Sequence, residues 1–185
     1  MKNIQKALLG IIIVGIFLIL LMGTTVVSED RSTITYTFGE RSDLIAWSTN
    51  PDYMNDTNEH TYASTRTNSD TQLLTGNDYT PDHPTGSITK VEIRCKGYTS
   101  TEGHYIYLTY IWPEHGPAGY FVFEPHMTEP GQWSPWYEIG HPGHGKLLWS
   151  DIPVLDVEVK AVLGTGTFPV EWFCSIVQIK VTYTT

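Results

Sequence analysis

The chain has 185 residues, with 20 acidic against 11 basic side chains and a net charge of −9; setting aside Lys2 and Lys6 leaves residues 29–185 at −11 (9 basic against 20 acidic). Nucleic-acid partners are excluded on that balance, because they require a basic footprint and no Lys or Arg residues cluster along the chain. From residue 31 onward 22 Thr stand against four Ala, among many Tyr, Trp, Gly and Pro, which suits pleated strands and excludes a helical domain.

Residues 7–28 carry no charge, and 11–22 are almost purely aliphatic. As a helix rising about 1.5 Å per residue they would span about 33 Å, enough to cross a hydrocarbon core about 30 Å thick. Lys2 and Lys6 precede the run, and Glu29 and Asp30 close it. The positive-inside rule then keeps residues 1–6 in the cytoplasm and exports 29–185. Three fates fit the run. A retained membrane anchor suits its length. A secretory signal suits Lys2, Lys6 and cleavage at Val26-Val27-Ser28, although the apolar core is long for one. The third is a filament: Lys6-Ala7 ahead of an unbroken apolar helix resembles the cleavage site of archaeal-type prepilins, whose helices bundle into a pilus core. The early glutamate of bacterial type IV pilins is absent, with Leu8, Leu9, Gly10 and Ile11 following instead. The anchor leads.

The exported part, about 155 residues, is the size of one domain with its own core. It opens on an alternating strand at 33–38. Residues 43–50 supply Leu44, Ile45 and Trp47 to the core, and 50–60 form an oxygen-rich loop. A short strand at 61–66 leads into 68–86, which reads as turn chemistry around Pro81 and Pro84. In 88–98, Val91, Ile93 and Cys95 point one way and Lys90, Glu92, Arg94 and Lys96 the other. Residues 104–112 are apolar on both faces, which predicts a strand between two layers. Shorter strands are expected at 119–124, 132–139 and 147–149. Leu155, Val157, Val159 and Ala161 alternate with Asp156, Glu158 and Lys160, and Val177, Ile179, Val181 and Tyr183 with Gln178, Lys180 and Thr182. Strands at short spacing between Gly/Pro turns predict an all-β fold, a single jelly-roll-type β-sandwich preceded by one hydrophobic helix.

The order of features resembles exported jelly-roll modules of microbial surface proteins, of the galactose-binding-like and carbohydrate-binding-module type. It is carried by Trp47, the Asn/Asp-rich loop 50–59, Tyr62-Ala63, and the strands at 88–93, 155–159 and 177–183. The resemblance implies a domain that binds or assembles rather than catalyses.

Candidate sites follow from chemistry. Asp52, Asn55, Asp56, Asn58 and Glu59 offer five oxygen donors within eight residues, where Ca²⁺ takes six to eight oxygens; EF-hand spacing is absent, and such residues also bond their own backbone in ordinary loops. The resemblance adds that related sandwiches often hold a structural calcium near such a loop. Asn55-Asp56-Thr57 is an N-glycosylation sequon. His141 and His144, three apart in a Gly/Pro turn, could share a metal with His115 or His126. Among the aromatic residues Trp112, Tyr120, Trp133, Trp136, Tyr137 and Trp149, large rings are more often core. Trp133, Trp136 and the adjoining Tyr137, flanked by Gly131, Ser134 and Pro135, are the best placed to stack on a sugar. Cys95 and Cys174 could pair outside the cell, but Cys174 falls on the outward parity of Gln178 and Lys180, so a bridge requires a bulge near Trp172-Phe173. No nucleophile elbow, zinc-protease helix, P-loop or Cys-x-x-Cys occurs.

The expected function is therefore a surface-displayed, non-catalytic β-sandwich, anchored by 7–28, that binds a glycan or another surface protein. The alternative is a self-assembling subunit of an extracellular filament or envelope layer, and the third reading is a secreted glycan-active enzyme.

Overall fold

Alternating Thr and aromatic residues make β1 (Arg31–Arg41), which buries Tyr36 and Phe38. This computed structural model describes residues 29–41, 47–80, 84–127, 129–141, 143 and 145–185. The expected membrane helix at 7–28, together with Leu44, Ile45 and His144, lies outside the described residues. Among those described, no helix is long and apolar enough to cross a membrane.

β1 belongs to two half-sheets. Its residues 31–37 pair with β10 (Trp172–Thr184), whereas Phe38, Glu40 and Arg41 pair with β3 (Thr71–Asn77). From β3 the path continues through β9 (Asp156–Val162) and β5 (Tyr105–Trp112) to β6 (Gly116–Phe123). From β10 it continues to β4 (Ser87–Thr99) and β7 (Gln132–Trp133). β2 (Ala63–Thr65) adds to β10, and β8 (Tyr137–Ile139) adds to β4. Every pairing is antiparallel, and the one sheet curls into a near-barrel. The all-β expectation holds.

The core is built from the inward residues of both halves. Trp47, Trp112, Trp172, Phe38, Leu74, Ile93, Leu108 and Ile179 are fully buried. Gly97 shows how closely β4 approaches β10: a Cβ there would lie 2.5 Å from the Phe173 carbonyl oxygen and 2.9 Å from Ile106 Cδ1. Any larger residue would force the two strands apart.

Several expectations need correction. Residues 71–77, read as turn, form β3, because Leu74 is buried in the core and the strand pairs on both sides. β5 is not enclosed between layers: Ile106 and Leu108 face inward while Tyr105 and Tyr107 remain half-exposed outside. Residues 132–139 are broken by an arch at Ser134-Pro135 into β7 and β8. Trp149 opens a 3-10 turn (Trp149–Asp151) instead of ending a strand, with Asp151 accepting the Leu148 N–H at 2.7 Å.

The bulge required by Cys174 exists, displaced from the expected place. From Cys174 to Val177 β10 takes three steps, while its partner takes two from Gly97 to Cys95. The extra residue turns Cys174 inward. Cys95 and Cys174 are both fully buried free thiols. The hydrogen bond with Cys95, with burial added, pushes the Cys174 thiol well up.

Candidate functional site

The outward residues of β4 and β10 form the floor of the candidate site. Strand alternation sends Lys90, Glu92, Arg94 and Lys96 to one face, with Gln178 and Lys180 beside them: Arg94 pairs with Gln178 in register, and Glu92 with Lys180. Four of the nine basic residues beyond residue 28 thus meet on one strip, Lys180 of β10 joining the three that β4 carries at 90, 94 and 96.

The Ser134-Pro135 arch supplies the walls. Opposite Arg94 it leaves the β4 edge without a regular partner, and Ser134 takes over that role. Its N–H donates to the Cys95 carbonyl at 2.8 Å, and its hydroxyl accepts the Cys95 N–H at 3.1 Å. Trp133 and Trp136, on either side of the arch, close over the guanidinium of Arg94, whose carbon lies 3.8 Å and 4.2 Å from their ring centroids. Each contact of this kind contributes roughly 0.5–2 kcal/mol depending on solvent exposure. Arg94 Nε and Nη2 both donate to Gln178 Oε1, at 3.1 and 2.8 Å. The guanidinium is therefore fixed in plane and along one edge.

Charge is settled unevenly along the strip. Glu92 receives Lys90 at 2.7 Å and Lys180 at 2.8 Å. Burial pushes the Glu92 carboxyl up, but the hydrogen bonds from Lys180 and Lys90 outweigh it and hold the group below its ordinary value. Lys96 reaches Glu59 Oε2 at 3.2 Å. Arg94 has no carboxylate within ion-pair distance among the described residues. Burial lowers its pKa, and the nearby charge of Glu59 opposes that only in part.

Beside this clamp lies a cleft of about 370 Å³ lined by Thr57, Glu59, Arg94, Trp133, Ile176 and Gln178. It brings Glu59 of the oxygen-rich loop against Trp133 of the aromatic group, two features the sequence keeps 74 positions apart. Arg94 and Gln178, central to it, appear in the sequence only as ordinary outward strand residues. The available signal was their shared outward parity beside an unusually Trp-rich turn.

The other expected ligand residues are placed differently. Trp136 does not line the cleft; Lys180 as well as Arg94 lies over its ring, at 4.3 Å. Tyr137 stacks on Phe121 with centroids 4.6 Å apart, and its hydroxyl donates to the Val122 carbonyl. Of the wider aromatic group, Tyr120 is the most open, 62% exposed and stacked on Tyr107. Trp112 is buried.

The oxygen-rich loop spends its donors separately. Asp52 pairs with Arg41 at 2.5 Å, and Asn55 Nδ2 donates to the Gly39 carbonyl at 3.1 Å. Asp56 accepts the Asn58 N–H and the Thr61 hydroxyl, Asn58 accepts the His60 N–H, and Glu59 holds Lys96. These are turn-forming and ion-pair contacts, and no three acidic, His or Cys side chains gather into a metal-binding group among the described residues. The sequon nitrogen of Asn55 is engaged in the contact with Gly39.

A larger cleft, about 470 Å³, lies at the other end of β8, where Trp112, His115, His141 and Asp151 meet. The His115 and His141 rings stand edge to face, 5.2 Å apart. The Gly143 N–H donates to His141 Nδ1 at 3.0 Å, which puts the proton of the neutral ring on Nε2. A metal at Nε2 would have to displace that arrangement, so this cleft is the weaker ligand site.

No protein-family model matches the chain, and comparison with curated proteins and with solved structures likewise found no match.

Proposed function

We propose that this is a cell-surface glycan-binding protein: an exported β-domain, held to the membrane by residues 7–28, that takes sugar in the cleft beside Trp133. The observation that carries this reading is the cleft itself. An indole wall, a fixed guanidinium, a carboxylate and an amide converge on one concavity whose volume suits a small ligand. The finer description of the fold belongs to the same reading. The half-sheets sharing β1 are a jelly-roll-type sandwich drawn toward closure. Glu59, the carboxylate that lines the cleft among the described residues, is held by Lys96, and the non-catalytic reading takes it as a structural ion pair, whereas glycoside hydrolysis uses a flanking carboxyl pair.

The test is retention of the full chain on immobilised polysaccharides, with Trp133→Ala as comparison. Retention by the wild type, weakened in the variant and without release of reducing sugar, is the expected result. Equal retention of both proteins would remove the cleft from the reading, and sugar release would favour a glycan-active enzyme.

A self-assembling surface subunit is the second reading, favoured by the outer face of the β5–β6 hairpin. Tyr120 and Val122 are exposed there, on a strand that among the described residues pairs on one side only. Sedimentation of wild type against Tyr120→Glu distinguishes the two readings.

A further inference from the structure

We infer that the Arg94 cleft selects acidic sugars, with the guanidinium receiving the carboxylate of a uronic acid residue while Trp133 packs against its pyranose ring. This rests on the glycan-binding reading and adds the class of glycan.

Charge accounting points to it first. The strip carries Lys90, Arg94, Lys96 and Lys180 against Glu59, Glu92 and Glu138, one cation in excess in a domain that is otherwise strongly acidic. Each lysine has a carboxylate partner, and Arg94 alone does not. A partly buried charge without a counter-charge is costly to maintain, and here the cost is carried at a cleft wall, where a ligand can supply the missing anion.

Geometry points the same way. A guanidinium has five N–H donors, and Arg94 uses one on Nε and one on Nη2 for Gln178. The remaining three include one on Nη2 and both on Nη1, the end-on fork that fits the two oxygens of a carboxylate. Trp133 and Trp136 hold the plane, so little freedom is lost when the anion arrives. Thr57 and the amide nitrogen of Gln178 remain around the cleft for ring hydroxyls.

The size of the charge excess narrows the class. One unpaired fork suits one carboxylate per bound sugar. A polyanion with more than one negative charge per sugar would instead meet the acidic remainder of the domain, at −11 over residues 29–185.

The experiment titrates the full chain in detergent with an oligogalacturonate and with the same oligosaccharide after its carboxyls have been reduced to alcohols, following tryptophan fluorescence and binding heat. The acid form is expected to bind about tenfold or more tightly than the reduced form, as a charge-assisted bidentate contact implies. Arg94→Gln should lower affinity for the acid form far more than for the reduced form, so that the preference disappears whatever happens to overall affinity, and 0.5 M salt should narrow it in the wild type. The wild-type comparison needs no variant, so a misfolded Arg94→Gln cannot blur the answer. Equal affinity for both forms overturns the acidic-sugar assignment and leaves glycan binding standing. Failure to bind either form, or any immobilised polysaccharide, overturns both. A preference that survives intact in a folded Arg94→Gln protein overturns the role of Arg94.

Discussion

The Tyr137 hydroxyl donates to the Val122 carbonyl at 2.9 Å, joining β8 to β6 where the sheet has no backbone ladder. The Tyr137 ring lies flat on Phe121 of the same strand. Trp112 Nε1 adds a second tie nearby, donating to the Gly140 carbonyl at 3.0 Å. Side chains thus bring together the two margins of the sheet that backbone pairing leaves apart.

Tyr137→Phe removes one hydrogen bond and keeps the stack. It should cost about 1 kcal/mol, a fall of roughly 2–4 °C in melting temperature for a domain of this size. Tyr137→Ala, losing the stack as well, should cost roughly 2–3 kcal/mol. Equal melting temperatures for wild type and both variants would mean that the seam contributes nothing to stability.

Glu92 makes stability depend on acid. Its carboxyl sits below the ordinary value in the folded protein, held there by Lys180 and Lys90 against the opposing effect of burial. The unfolded chain therefore takes up the proton first as pH falls. The stabilisation is fully present above the unfolded-state pKa, near 4.3 for a free glutamate, and is lost as pH drops through the lower folded value. Glu92→Gln should be destabilised by roughly 3 kcal/mol at pH 7 and should lose less stability than wild type between pH 5 and 3. Parallel acid-unfolding curves for the two proteins would refute this.

Cys95 and Cys174 face one another inside the core, from adjacent strands on either side of the bulge. Closing them would form a loop of about 80 residues and add roughly 4 kcal/mol in the chain-entropy description. We expect protein from an oxidising compartment to show no labelled thiol after denaturation without reductant, and protein from a reducing one to show two. Two free thiols in both preparations would leave the hydrogen-bonded pair as the resting state.

For the oxygen-rich loop, calcium would have to draw Asp52 from Arg41, Asp56 from Thr61 and Glu59 from Lys96. Melting curves in chelator and in millimolar calcium should therefore coincide. A rise in melting temperature with calcium that magnesium does not reproduce would show that these carboxylates abandon their present partners for a shared ion.

The parts of the fold that were legible are those where a period of two is unbroken. β4 and β9 place Ile93, Cys95, Val157 and Val159 inside as their alternation predicts. β3 was hidden because Gln72 and Thr71 are buried beside Leu74, so its polar residues lie on both faces and resemble turn chemistry. β5 misled for the opposite reason: Tyr105 and Tyr107 are apolar enough to imply a second covering layer, yet Tyr107 stacks on Tyr120 and tilts against Tyr105 at an open surface. The site was half legible. Trp133 and Glu59 stood out by residue type, whereas Arg94 and Gln178 gain their role from strand register, a property of the pairing rather than of either strand alone.

The sharing of β1 between half-sheets has a mechanical consequence. Its first seven residues, Arg31 to Thr37, are laddered to β10, and β10 in turn lies beside Arg94 on β4. A pull on the chain ahead of Arg31, with the β4–β10 pair held fast, would drag β1 lengthwise past β10. The ladder's hydrogen bonds lie across the direction of that pull, so they resist together and cannot be peeled one by one. Tension applied at that end of the chain would thus meet the domain in shear, the geometry in which a short strand holds hardest.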